Sequence, residues 1–209
     1  MKKTIFIFAS ALCLSGVLAS NAFGQEPGKH YPTIIGITAA SYQIPAELFA
    51  EVYGSKAQLI YGLNLSQTVI RYRGWDLDLS LEGRIYSRSG VSTLDQTPTK
   101  FSMTPISLAG RVLYETKYVV PFLGAGADWY GYKEKSELGS TSGTASGWHV
   151  QFGAYVVIPG VDFLKAKVYY KFTRVKARQN EIEVDLGGNE YGIGLSFGFN
   201  LLNIGGNSF

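Results

Sequence analysis

The sequence predicts an all-β fold, an eight-stranded antiparallel up-and-down transmembrane β-barrel, and three observations support that prediction. Segments of about ten residues alternate apolar and polar side chains, as in Trp75–Tyr86, "WDLDLSLEGRIY". Short and long connections alternate between such segments. Glycine (25 residues) and aromatic residues (14%) are abundant, and no stretch after the N-terminal region is long and apolar enough for a membrane helix.

The N-terminal region predicts export from the cytoplasm. Lys2 and Lys3 precede an apolar run over residues 4–19, and small residues follow at the spacing of a cleavage site. We therefore expect a cleaved signal peptide over 1–24, a tail over 25–32 and the barrel over 33–209. Loss of Lys2 and Lys3 reduces 19 basic residues to 17, against 16 acidic. A nearly neutral chain without a basic cluster argues against nucleic acid as a partner.

Alternation along the chain predicts the eight strands. They lie near residues 33–42, 58–69, 75–86, 101–114, 118–132, 148–158, 163–175 and 190–202. The last strand has "VDL" (184–186) as an optional extension across a bulge at Gly187 and Gly188. Pro105 predicts a bulge or a change of phase in the fourth strand, since proline cannot donate to the ladder.

Long connections are expected after the odd strands and short turns after the even ones. The long ones are 43–56, 87–99, 133–147 and 176–186, and the first should hold a turn or two of helix with Leu48, Phe49 and Val52 on one face. A meander gives this asymmetry when one end faces the periplasm and the other faces the outside.

The closing strand indicates which face meets lipid. One face is apolar and the other is largely glycine (Tyr191, Ile193, Leu195, Phe197 and Phe199 against Glu190, Gly192, Gly194, Ser196 and Gly198). Glycines facing water would weaken the strand without benefit. Inside a narrow barrel they leave room for long side chains from other strands. The apolar face is therefore predicted to point outward, to lipid.

The polar faces of the other strands should then fill the lumen with ion pairs, because a buried charge must be paired. We expect five cations to pair with four carboxylates in a lumen charge network. Its predicted members are Lys165, Lys167, Lys171, Arg84 and Arg111 with Asp78, Glu82, Asp128 and Glu190. The individual pairs depend on strand register, which the sequence leaves open.

Aromatic residues fall near the predicted strand ends. Trp75, Tyr114, Phe163 and Phe199 should lie near the inner rim, and Trp129 and Trp148 near the outer rim. Two aromatic belts separated by aliphatic residues are typical of a membrane barrel.

Two stretches carry a resemblance to a known family. "PFLGAGADWYGYKE" and "EYGIGLSFGF" resemble the fifth and closing strands of small outer-membrane β-barrels of the OmpA transmembrane-domain, OmpX and OmpW type. The likeness covers the mature chain and implies location in the outer membrane of a Gram-negative-type bacterium. It also implies contact with outer-membrane lipid and lipopolysaccharide, and insertion by the barrel-assembly machinery, which would read Phe199 or Phe209. We expect a monomer.

Candidate catalytic residues are scarce. His30 lies in the predicted tail, and His149 should face the lumen near Asp128. The His/Ser pair of lipid-A deacylases of this barrel class is not matched, because no serine stands two residues after His149. No spacing of metal ligands occurs. We therefore expect neither an enzyme nor a bound cofactor or metal.

Two functions remain open at this point. A barrel of eight strands is generally filled by its own side chains, which favours a shell that displays its outer loops for contact with lipopolysaccharide or a surface partner. The alternative is a narrow channel or a hydrophobic-solute conduit, which would need a gap in the charge network or a lateral opening near Pro105 or the bulge at Gly187 and Gly188. A soluble ligand-binding barrel is the remaining possibility.

Overall fold

Ten elements follow one another along the described part of the chain. The computed structural model describes residues 32–45, 47–92, 96–137, 139–161, 163–179 and 182–199. The elements are β1 (Thr33–Gln43), α1 (Glu47–Tyr53), β2 (Ala57–Tyr72), β3 (Trp75–Val91), β4 (Pro98–Tyr114), β5 (Val119–Ser136), β6 (Gly139–Val157), β7 (Leu164–Gln179), β8 (Ile182–Asp185) and β9 (Gly188–Phe199). The predicted signal peptide, His30 and Phe209 lie outside the described residues.

The strands close into a ring of eight positions. Each strand from β1 to β7 pairs antiparallel with the next, and β9 pairs with both β7 and β1. β9 pairs with β7 as far as Thr173, and β8 pairs with residues 176–179 of β7, which lie beyond it. Leu186 and Gly187 join β8 to β9 as a bulge, and both donate backbone N–H bonds to the Val175 carbonyl at 2.8 and 3.2 Å. The predicted up-and-down eight-stranded barrel is confirmed.

The period of two sorts side chains between lumen and exterior. Along β3, Asp78, Ser80 and Glu82 are buried, whereas Leu77 and Leu79 are exposed. This reverses the arrangement of a soluble protein, where charged residues are almost never fully buried and leucine usually is. The polar face of each such strand therefore points into the barrel.

Most of the long connections predicted at one end are instead strand. β5 runs to Ser136 and β6 starts at Gly139, so the loop predicted over 133–147 is a hairpin. β3, β4, β7 and β8 likewise extend into the predicted loops at 87–99 and 176–186. Prediction failed there because the apolar alternation stops while backbone pairing continues. Only the connection over 44–56 remains long.

Pro105 does not shift the register, so the predicted bulge or change of phase is wrong. Gly83 pairs with Ile106 and Tyr86 with Met103, which keeps the same register on both sides of the proline. Pairing with β3 is only interrupted, since proline has no N–H to donate. The register shift lies in β2 instead, between Thr68 and Ile70.

The two ends of the barrel differ. One end, here called the turn end, carries the connections 73–74, 115–118 and 158–163. The opposite end, the helix end, carries α1, which the sequence predicted as a turn or two of helix. Phe49 of α1 is buried and Val52 is partly buried against the same cluster, whereas the Leu48 side chain is outside the described set. Among described residues, no helix is long and apolar enough to cross a bilayer.

Candidate functional site

The lumen is the candidate site, and Glu82 is the centre of its charge network. Arg84 Nη2 lies 2.8 Å from Glu82 Oε2, Lys167 Nζ 3.3 Å from Oε1 and Lys171 Nζ 3.6 Å from Oε2. Arg84 also places Nε 3.1 Å from Glu190 Oε1. All five side chains are at most 4% exposed. Glu190 accepts a further bond from the Tyr169 hydroxyl.

A second cluster surrounds Asp128. His149 Nδ1 lies 2.9 Å from Asp128 Oδ2, and Lys171 Nζ lies 3.2 Å from Oδ1. Ser107 donates its hydroxyl to the same Oδ1 and accepts from Lys171 at 2.7 Å. Because Lys171 also contacts Glu82, it joins the two clusters into one network.

A third cluster lies nearer the turn end. Arg111 Nη2 is 3.2 Å from Asp78 Oδ2, and its Nη1 donates to the Tyr155 hydroxyl at 2.9 Å. Thr68 donates to Asp78 Oδ1 at 2.9 Å. The Arg111 guanidinium also lies 5.3 Å from the Phe122 ring centroid. Partners therefore surround this buried cation with both charge and aromatic faces.

Eight of the nine predicted network residues thus meet in the lumen, and Lys165 does not join them. Lys165 is partly exposed near the turn end of β7, and no ion pair joins it to a described residue. Its neighbour on the same face, Lys167, is fully buried. Sequence reasoning missed Ser107 and Tyr155, because uncharged residues on a strand face carry no signal of an ion-pair network.

Aromatic side chains close the helix end above this network. Phe49 packs 4.4 Å from Tyr53 and 5.5 Å from Phe101, measured between ring centroids. Tyr86 lies 6.1 Å from Phe101 and 6.1 Å from Tyr42. We call these five residues the aromatic cap. Burial of all five shows that α1 folds into the mouth of the barrel and does not stand out in solvent.

Tyr53 fixes the cap to a strand. Its hydroxyl donates to Glu134 Oε1 at 2.6 Å. Burial, followed by this bond to a carboxylate, raises the pKa of Tyr53 above its ordinary value. The phenol therefore stays protonated, as the hydrogen bond requires.

The exterior carries an apolar belt between aromatic rims. Leu63 and Ile193 are both 65% exposed at mid-height. At the turn end, the Trp75 ring packs 4.8 Å from the Tyr114 ring, tilted by 50°. Phe163 is exposed there, and Phe199 is partly exposed. Towards the helix end, Trp129 is exposed and Trp148 packs 5.8 Å from Phe172. Large apolar patches of this kind mark contact with lipid or protein.

Comparison with solved structures shows the same fold at low sequence identity. Neisserial surface protein A is 13% identical, with a TM-score of 0.56 over 83% of this chain and 100% of its own. The N-terminal β-barrel domain of Pseudomonas aeruginosa OprF is 14% identical, with a TM-score of 0.53 over 80% and 97%. Ail of Yersinia pestis, solved with the heparin analogue sucrose octasulfate, is 13% identical, with a TM-score of 0.53 over 82% and 100%.

Sequence comparison identifies the family. No curated protein gave a match to the chain. The family model described as outer membrane protein beta-barrel domain matches residues 9–199, and a match of this length covers every described strand. The protein is therefore a member of the outer-membrane β-barrel family, and its exposed apolar belt faces the lipid of a Gram-negative outer membrane.

Proposed function

We propose that the protein is a closed, non-enzymatic barrel that displays its helix-end hairpins at the cell surface for contact with lipopolysaccharide or a surface partner. The observation that carries this proposal is the filling of the lumen. The aromatic cap closes the helix end, and the charge network centred on Glu82 fills the middle. Phe122 and Tyr155, both buried and 5.3 Å apart between ring centroids, lie towards the turn end.

The projecting hairpins support display. Residues 139–145 of β6 pair with β5 but not with β7, whose pairing to β6 stops at Ser146. The β6 half of the hairpin therefore extends beyond the closed ring, while its β5 half stays paired with β4 as far as Lys135. Short turns face the periplasm in barrels of this class, so the helix end with its hairpins would face outside. Loops and hairpins on a rigid scaffold commonly carry binding function.

Burial also supports a non-enzymatic role. His149 is fully buried, and its Nδ1 is held by Asp128. A general acid or base must come within hydrogen-bond reach of its substrate. His149 would have to leave the lumen network to do so.

A closed ring supports a monomer inserted by the barrel-assembly machinery. Within the apolar belt every strand has two hydrogen-bonded neighbours among the described residues. No open edge is left there to pair with a second copy. Cross-linking in native membranes would reveal a stable oligomer if this expectation is wrong.

Conductance of refolded protein in a planar bilayer tests the closed lumen. Folding is checked first by the difference in gel mobility between unheated and boiled samples. We expect no steady openings from inserted protein. Openings that change conductance when Lys167 or Lys171 is neutralised would contradict the proposal and place the ions' path through the charge network.

A narrow channel is the second candidate, and one feature favours it. Asn64, Ser66, Ser80 and Ser196 are buried polar residues whose side-chain atoms have no hydrogen-bond partner among described protein groups. Gly36 lies between Asn64 and Ser196. Such a polar seam is the kind of site that holds internal water, and it lies on the side formed by β9, β1, β2 and β3, away from Asp128.

The same bilayer recording distinguishes the second candidate. If the seam conducts, Ser196→Leu should block the openings, whereas neutralising Lys171 should leave them. Silence of the wild-type protein would exclude a channel through the seam. A hydrophobic conduit beside Pro105 has less support: the pairing of β3 with β4 skips Arg84 and Ile85, but the Arg84 side chain is buried and paired at that point.

A further inference from the structure

Charge on the barrel exterior is confined to one side. On the outward faces of β4, β5 and β7, towards the helix end, stand six exposed cations, and β8, which pairs with the end of β7, places Glu183 and Asp185 beside three of them. The six cations are Lys100, Lys133, Lys135, Arg174, Lys176 and Arg178, here called the basic collar. The outward faces of β1, β2, β3 and β9 carry no charged residue in their described strands. A general attraction to an anionic surface would not require such asymmetry.

The collar continues directly from the aromatic rim. On β7, Arg174, Lys176 and Arg178 follow Phe172 on the same face, and Arg174 is the register partner of Trp148. On β5, Lys133 and Lys135 follow Trp129 on the same face. Aromatic rims mark the boundary between hydrocarbon and headgroups. The collar therefore begins with Arg174 at the level of the headgroups of the leaflet at the helix end, and its other members follow outwards along the strands.

Within the collar, like charges oppose one another on β4 and β5, whereas two cations of β7 face carboxylates of β8: Lys176 is the register partner of Asp185, and Arg178 is the register partner of Glu183. Lys100 and Lys135 are direct register partners on β4 and β5, and like charges directly opposite are destabilising. No ion pair joins either of them, Lys133, Arg174 or Arg178 to a described residue. The one pair in the collar joins Lys176 to Glu183, and both side chains are 46% exposed. An exposed pair of this kind contributes little. Against the six cations stand the three carboxylates of Glu137, Glu183 and Asp185, so the collar keeps a surplus of three positive charges.

Space for a ligand group exists beside the opposed lysines. A hollow of about 320 Å³ is lined by Lys100, Lys135, Thr99 and Ser136 among others, and Glu137 is its one carboxylate. Between β5 and β7, the outward face of β6 offers only small hydroxyl residues: Ser140, Ser142, Thr144 and Ser146. Hydroxyl and ammonium groups side by side are suited to phosphate oxygens.

We infer that the basic collar binds the phosphate groups of lipid A, the phosphorylated anchor of lipopolysaccharide in the outer leaflet. This inference rests on the proposed function, because it assumes that the helix end faces outside. Lipid A fits the position because its acyl chains would lie along the apolar belt of β4–β7 while its phosphates meet the cations. The three cations of β7 and the three of β4 and β5 form two separable halves of the site.

The test is a binding titration with fluorescent bisphosphorylated lipid A in neutral detergent micelles, followed by anisotropy. The refolded proteins are wild type, K100Q/K133Q/K135Q and R174Q/K176Q/R178Q. The matched control is K56Q/R73Q/K117Q, which removes three exposed cations outside the collar. Since each cation near an anionic lipid surface contributes roughly fivefold in affinity, each collar variant should bind at least about tenfold more weakly, and the control should stay within about twofold.

Four results would overturn the inference. Equal losses in collar and control variants would show a general charge effect, and unchanged binding in both collar variants would show that the collar is not the site. Dephosphorylated lipid A that binds wild type as tightly as the phosphorylated form would exclude phosphate recognition. A heparin fragment that binds the collar while lipid A does not would assign it to a soluble polyanion. All six residues are exposed, and gel mobility verifies folding of each variant.

Failure here remains distinct from failure of the proposed function. The closed lumen is judged by conductance of the same preparations, which lipid A binding does not affect. A silent barrel without collar-dependent binding would keep the proposed shell and remove the lipid A site. A conducting barrel whose lipid A binding depends on the collar would keep the lipid A site and remove the closed shell.

Discussion

At the level of single residues, Glu82 is the point on which the lumen charges depend. Three buried cations, Arg84, Lys167 and Lys171, contact its carboxylate. Removing one member of a buried ion pair leaves the other charge uncompensated, which is far more damaging than the net contribution of the pair suggests.

Replacing Glu82 with glutamine should therefore lower the free energy of unfolding by about 3–5 kcal/mol, the range for breaking a buried ion pair. Urea titration of the barrel refolded into lipid vesicles measures this. Lys165→Gln is the control, because that lysine pairs with no described residue, and a surface change usually stays within about 0.5 kcal/mol. Similar losses for the two variants would show that Glu82 is not the centre of the network.

Several glycines on the inner face have a steric role, and Gly192 is one of them. A Cβ placed on Gly192 would collide with the ring of Tyr169, whose hydroxyl donates to Glu190. Gly83 lies on the outer face, where the same Cβ would meet nothing within 4 Å.

Gly192→Ala should thus destabilise the barrel by about 1–3 kcal/mol through overpacking, whereas Gly83→Ala should be nearly neutral. The two variants make the same substitution within a strand, on opposite faces of the barrel wall. Unfolding titrations that rank them the other way round would contradict the assignment of faces.

Among the elements, α1 is the one whose stability depends most on contacts outside itself. Seven residues are too few for a stable isolated helix. Phe49 and Tyr53 attach it to the barrel through Phe101 and Glu134. Each contact joins the connection over 44–56 to a strand.

Phe49→Ala should release this connection, since truncating a buried phenylalanine removes about 3–5 kcal/mol. We expect limited proteolysis to cut within 44–56 at least about tenfold faster, while the barrel itself stays intact. Glu51→Ala, an exposed change on the same helix, should have no effect. Conductance should remain absent in the Phe49 variant, because the charge network still fills the lumen; openings would assign closure to the cap alone.

For the whole molecule, the position of the tryptophans defines how the barrel sits in the bilayer. Trp75 lies at the turn end, and Trp129 and Trp148 lie towards the helix end, all about half exposed. Leu63, in the middle of the belt, is 65% exposed.

Lipids brominated at different depths can measure this placement. In variants that keep one tryptophan each, bromines near the headgroups should quench fluorescence more strongly than bromines at the chain ends. Leu63→Trp in a tryptophan-free background should show the reverse order. A native tryptophan quenched most strongly from the bilayer centre would contradict the rim assignment.

Fold class and the choice of face followed from local pattern. A period of two and a row of glycines opposite aromatic residues in β9 are sufficient to predict a barrel with lipid outside, because the side chains of a strand must alternate. Strand ends at the helix end were missed, since hairpins beyond the bilayer pair through backbone bonds and need no apolar face. The effect of Pro105 was overestimated, because a missing N–H can interrupt a ladder without displacing it.

Residue types in the lumen were determined by the sequence alone: a barrel of this size must bury its polar faces, so its charges had to find partners. Which charges meet was decided only by the tertiary structure. Arg84 reaches Glu190 and Lys171 reaches both Glu82 and Asp128, although these residues lie on different strands far apart in the chain. Register and ring closure set those distances, and neither is encoded in the alternation of any one strand.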